Sequence, residues 1–188
     1  MPKKTIPIIA VLMAIVLGAA AGWWWLNESR DRGPESEPPP LPVEAPGTET
    51  AEAHLYFCDP MGGYLTAEER AVERPDDPVA FSKNLIRALE KGPRQRGARS
   101  IPEGTRVLGL YIEPMGTAFV DLSREVSENL PGGSEAEYMT IHSIVNTLAL
   151  NVPEIESVKI LVEGREVKTL GGHLDTRHPY SPNMLIVR

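Results

Sequence analysis

Thr-Arg-Val-Leu-Gly-Leu-Tyr-Ile-Glu-Pro-Met-Gly-Thr-Ala-Phe-Val-Asp-Leu-Ser, residues 105–123, holds two alternating apolar runs on either side of a break. Leu108, Leu110 and Ile112 fall on one side of the first run, and Ala118, Val120 and Leu122 on one side of the second, the period of a half-buried strand pair. Between them, Glu113-Pro114-Met115-Gly116 sets a proline that fixes φ beside a glycine that can take φ > 0. A β-hairpin at the centre of a sheet is expected. Its six apolar residues make a face on which helices from either side in sequence can lay an apolar stripe.

Working upstream, Asp76 and Asp77 offer an N-cap and Pro78 suits a first helical position. Phe81, Leu85, Ala88 and Leu89 recur at helical spacing until Gly92-Pro93. Before that helix, His54–Asp59 reads as a strand, Pro60-Met61-Gly62-Gly63 as a turn, and Tyr64–Arg74 as an extended segment whose charges mark it as exposed or at an edge. Downstream, Ser134-Glu135-Ala136-Glu137 reads as a capping box opening a second helix with a stripe of Tyr138, Ile141, Ile144, Val145 and Leu148. Asn151 and Pro153 stop it. Val158–Val162 is a strand, Glu163-Gly164-Arg165 a turn and Glu166–Leu170 a short returning partner. The expected fold class is α+β: two helices packed on one face of a mostly antiparallel sheet, in the order β-β-α-β-β-α-β-β. Most connections between strands are too short for parallel crossovers.

The chain has 188 residues, which suits one folded domain, and 18 prolines. Lys3 and Lys4 precede an uncharged run, Thr5–Leu26, that at helical rise is about 30 Å long and matches a bilayer core. Trp23, Trp24 and Trp25 suit its far interface. A single-pass anchor over residues 1–26 is expected, N-terminus in the cytoplasm and the rest outside. The alternative is a signal peptide cleaved after Ala19-Ala20-Ala21, which would leave a secreted protein. Residues 27–53 hold Pro34, Pro38, Pro39, Pro40, Pro42 and Pro46 among many carboxylates and read as a disordered linker. The folded domain is expected over 54–180, with a C-terminal tail over 181–188.

The net charge of −7 does not favour a nucleic-acid partner. One cysteine, Cys58, excludes an internal disulfide framework, and in an apolar strand it reads as a small buried thiol. Against the acidic average, Lys83, Arg87, Lys91, Arg94, Arg96 and Arg99 stand with only Glu90 in a short segment. Lys91, Arg94, Arg96 and Arg99 are the candidate binding residues for an anionic partner such as a wall polymer, lipid headgroups or an acidic protein. The plainer reading is a solvated helix end and loop, which suits the lack of interleaved aromatic residues.

Six further stretches occur in an order that resembles a known family. They are Gly92-Pro93, Ile101-Pro102-Glu103-Gly104-Thr105, Val120-Asp121-Leu122-Ser123, Ile144-Val145-Asn146-Thr147-Leu148, Val158–Gly164, and Gly171-Gly172-His173-Leu174-Asp175 followed by Pro179. Residues 53–180 are similar to a GerMN domain of the sporulation and spore germination family. The resemblance implies an extracytoplasmic, usually membrane-tethered α/β module without established catalysis, similar in fold to the ring-building modules of envelope complexes. Here there is one copy where some members carry two, and no cysteine follows the apolar run for lipidation.

No catalytic residues, metal ligands or cofactors are assigned from the residues. His54, His142, His173 and His178 with Asp59, Asp121 and Asp175 fall in no spacing that a nucleophile, carboxylate pair or metal requires. His173 and Asp175 invite a metal, and Asp121 with Ser123 a base and nucleophile. In both cases bonds to local backbone amides explain the residue types. His142 and Asn146, one turn apart, are expected at the solvent edge of the second helix. The function expected is a membrane-anchored, non-catalytic scaffold or interaction module whose partner is an envelope protein or a cell-wall polymer. An anionic-surface binder is the alternative and an envelope hydrolase ranks last. Oligomeric state is left open.

Overall fold

The computed structural model describes residues 17–27 and 49–188. The chain divides into two compact units, Met1–Pro46 and Gly47–Arg188. In the first, residues 17–27 are helical (α1) and largely exposed. Most of the expected span Thr5–Leu26, and residues 28–48 of the expected linker 27–53, lie outside the described residues. Among the described residues no helix is long and apolar enough to cross a membrane.

The second unit runs β1 (Thr50–Cys58), β2 (Leu65–Glu73), α2 (Pro78–Glu90), β3 (Val107–Ile112), β4 (Thr117–Leu122), the single turn α3 (Glu125–Glu128), α4 (Ser134–Ala149), β5 (Ser157–Val162) and β6 (Arg165–Glu166), with a 3₁₀ turn at Met184–Ile186. It is a mixed α+β fold, but with two sheets rather than one. β1 and β2 pair antiparallel by themselves, and the larger sheet has the order β3-β4-β5-β6. β4 and β5 are parallel, from Thr117 opposite Ser157 to Leu122 opposite Val162. The physical reason is the connection between them, since α3 and α4 form a crossover long enough to return the chain in the same direction. α2 and α4 contact each other and both sheets. One cluster therefore joins Leu55 and Phe57 of β1, Leu85 and Leu89 of α2, Val120 and Leu122 of β4, and Ile144 and Leu148 of α4.

Local chemistry explains the element ends. Asp77 caps α2, its carboxylate accepting from the Val79 and Ala80 amides at 3.1 and 3.2 Å, and Pro78 is the first helical residue. Glu163 and Gly164 take φ of 51° and 72° between the paired Val162 and Arg165, the two-residue turn that matches strand twist. The returning strand is only Arg165–Glu166, shorter than the sequence suggests.

Four expectations change within this unit. In β3 a bulge between Val107 and Gly109 puts Val107 opposite Leu122 on the core side and leaves Leu108 48% exposed. In β2, Glu68 and Arg70 are buried, not exposed, because they face the end of α2. At α4 the N-cap is Gly133, no side chain caps the helix, and Glu137 turns to a distant loop instead of back to Ser134. His142 and Asn146 are buried because α4 is covered on nearly every side. Tyr56 of β1 lies over it, and residues 180–188 cross it, with Asn146 and Asn183 exchanging hydrogen bonds at 2.8 and 2.9 Å.

Candidate functional site: a basic helix end and the loop beyond it

The C-terminus of α2 leaves carbonyls that the helix itself cannot satisfy. Arg70 of β2 donates to the Ala88 and Gly92 carbonyls at 2.9 and 3.1 Å. Arg99, from beyond the loop, donates to the Glu90 and Lys91 carbonyls at 2.6 and 3.4 Å. Gly92 has φ 79°, and a Cβ there would lie 2.8 Å from the Arg99 guanidinium, so the close approach needs glycine.

The loop is held from beneath. The Glu68 carboxylate pairs with Arg70 and accepts from the Arg94 and Gln95 amides at 2.9 and 3.0 Å. Burial pushes its pKa up, but the Arg70 guanidinium and the two amides outweigh that and hold it below the ordinary carboxylate value. The main chain at 94–95 is thus fixed while the Arg94 and Arg96 side chains stay exposed. Of the four candidate residues, Arg99 is a helix cap, Lys91 ends α2, and Arg94 and Arg96 are presented by the loop.

Beside the helix end, Arg87, Glu90, Lys91, Arg106 and Val107 line an open cleft of about 440 Å³. Glu90 accepts from the Val107 amide at 2.8 Å. Burial raises its pKa, against the Val107 amide and the charges of Arg87, Arg106 and Lys91. Sequence spacing gives no sign of Arg106, which reaches the cleft from the approach to β3, or of Glu68 and Arg70. Each needs a partner many residues away.

The residues weighed for chemistry are placed apart. Asp121 accepts from the Gly164 amide at 2.7 Å, and Ser123 from the Arg106 amide at 3.0 Å. His173 lies 3.3 Å from Glu137, while Asp175 pairs with Arg177 at 2.7 Å. His142 packs between Tyr138 and Tyr180, ring centroids 4.4 and 5.7 Å away, and burial pushes its pKa down. His54 sits 3.3 Å from Glu69 on an exposed strand face. Among the described residues no group of three or more His, Cys, Asp or Glu is placed to hold a metal ion. Cys58 is half-buried, its thiol pushed up to about 11 by burial and by Glu135, the opposite of an activated nucleophile.

Residues 54–168 match the family model for sporulation and spore germination, and the chain belongs to that family through its GerMN domain. Among solved structures, the first GerMN domain of the sporulation protein GerM from Bacillus subtilis is 26% identical with a TM-score of 0.54, the match covering 71% of this chain and 96% of that one. A candidate lipoprotein from Clostridium perfringens is 27% identical with a TM-score of 0.50, over 70% and 87% of the two chains. The tandem GerMN domains of GerM, 24% identical with a TM-score of 0.54, share the fold over 71% of this chain and 46% of that one. No curated protein sequence matches the chain.

Proposed function

We propose that this chain is a non-catalytic interaction module of the bacterial cell envelope, tethered by its N-terminal apolar run and presenting the GerMN domain to a partner outside the cytoplasm. The observation that carries the reading is how the titratable groups are used: Glu68, Glu137 and Asp121 each hold backbone amides of a loop or turn. Such groups shape a surface rather than attack a substrate. The uncharged run Thr5–Leu26 behind Lys3 and Lys4 supports the tether, as does the likeness to a candidate lipoprotein. The partner is an envelope protein or a wall polymer.

A second reading rests on Arg94 and Arg96, exposed side chains on a loop whose main chain is held at 94–95, an arrangement that suits an anionic surface.

Cell fractionation tests the first reading. The full chain should stay with membranes through high-salt washing and be digested by protease added outside, and deletion of residues 1–26 should release it. Full-length protein recovered in the soluble cytoplasm would overturn the tether. For the second reading, Arg94→Ala with Arg96→Ala should lower retention on isolated wall material at low salt and leave melting unchanged, while equal retention would end it.

A further inference from the structure

Cations at a helix C-terminus ordinarily need no special account, since they meet free carbonyls and the negative end of the dipole. At the end of α2 that task is already filled by Arg70 and Arg99, which take the carbonyls of Ala88, Gly92, Glu90 and Lys91. Three more cations line the cleft: Arg87 on the last turn, whose guanidinium also donates to Asn84 at 3.3 Å, Lys91 just after that turn, and Arg106 before β3. They surround the Glu90 carboxylate without closing on it: among the described residues no ion pair joins Glu90 to any of them. One Glu90 oxygen is taken by the Val107 amide. The cleft therefore sets three positive groups against one carboxylate, over a space the size of a small polar ligand.

We propose that this cleft binds a phosphate monoester, with Arg87, Lys91 and Arg106 on the phosphate oxygens and the second oxygen of Glu90 accepting from a neighbouring hydroxyl. Two guanidinium forks match the geometry of phosphate oxygens, and a phosphate dianion balances the surplus positive charge where a single carboxylate would not. Glu90 adds selectivity, because an anion without an adjacent hydroxyl meets its repulsion. Arg94 and Arg96 do not line the cleft, so the assignment stands apart from the loop reading above.

The test is a titration of the full chain with glycerol 3-phosphate at constant ionic strength, followed by amide NMR. Saturable shifts centred on Lys91 and Val107 are expected. Lys91→Ala with Arg106→Ala alters two exposed side chains, should melt as the parent does, and should weaken binding by about tenfold or more. Arg94→Ala with Arg96→Ala should stay within about twofold, as exposed charges outside the site do. Glu90→Gln keeps an oxygen for the Val107 amide and removes the repulsion, so inorganic phosphate should bind more tightly. Shifts that do not saturate, or equal losses in the two double variants, would mean a diffuse counterion field and overturn the site. Vesicles of phosphatidylglycerol phosphate, whose terminal phosphate is a monoester beside a hydroxyl, would assign the ester to a lipid headgroup if they displace glycerol 3-phosphate. Vesicles that do not would assign it to a soluble or polymer-borne ester, and both results keep the cleft as the site.

Discussion

Glu137 is fully buried at the start of α4, and its carboxylate accepts from the Leu170 and His173 amides, each at 2.8 Å. Burial alone would push its pKa up. The amides of Gly171, His173, Leu170 and Leu174 outweigh burial and hold it below the ordinary 4.5. A carboxylate whose folded pKa is depressed contributes stability above its unfolded value and loses it as pH falls through the folded one. The contribution of Glu137 is thus complete above pH 4.5 and declines below it. Glu137→Gln puts an NH₂ group among amide donors, and at neutral pH it should cost about 2–4 kcal/mol. Urea melts of parent and variant across the acid range check this. The gap should narrow as pH drops below 4.5, and a gap that stays constant or widens would contradict the ionised, amide-held carboxylate.

At the level of elements, the β3–β4 hairpin separates a core side from an open side. Val120 is fully buried while Leu108, pushed out by the bulge, is about half exposed. Val120→Asp should cost several kcal/mol, comparable to the whole stability of a small domain, while Leu108→Asp should shift it by about 0.5 kcal/mol or less. Thermal melts of the two variants decide it, and a severe loss at Leu108 would mean regular alternation through β3. The strand pair was legible because Ala118, Val120 and Leu122 keep their period. The bulge was not, because Val107 and Leu108 are both apolar and Gly109 alone marks the irregularity. β2 hid more: Glu68 and Arg70 look like edge charges until the end of α2 and the loop after it, 18 to 27 residues on, supply their partners. Ser134 and Glu137 matched a local capping motif, but the several loop amides at 170–174 are a stronger demand on Glu137 than one exposed helix start. The basic segment was visible as composition, whereas the cleft needed Arg106 from another element.

Across the whole domain, residues 180–188 act as a strap. Tyr180 and Val158 exchange backbone hydrogen bonds at 2.8 Å, Asn183 pairs with Asn146 on α4, and the Arg188 amide donates to Leu65 of β2 at 2.9 Å. The strap touches the larger sheet, the central helix and the smaller sheet in turn, so residues 181–188 are packed on the domain. Asn146→Ala would leave the Asn183 amide and carbonyl unpaired at a cost of about 1–3 kcal/mol. Hydrogen exchange should then quicken at Asn183 and Leu185 and stay slow at Val120. Uniform quickening would mean that Asn146 serves the core and not the strap.

The grip on the two loops has a different consequence. Glu68 and Glu137 take hold of main-chain amides, which every residue but proline carries, so the identities of the side chains above them are not what keeps the loops in shape. Gly171 is an exception, since a Cβ there would meet Leu130 at 2.7 Å, and Gly92 and Gly172 are two more, with φ at 79° and 98°. Elsewhere the lettering of these loops can drift or be rewritten while their outline stays put, which makes the domain a natural frame for changing its vocabulary of contacts without refolding.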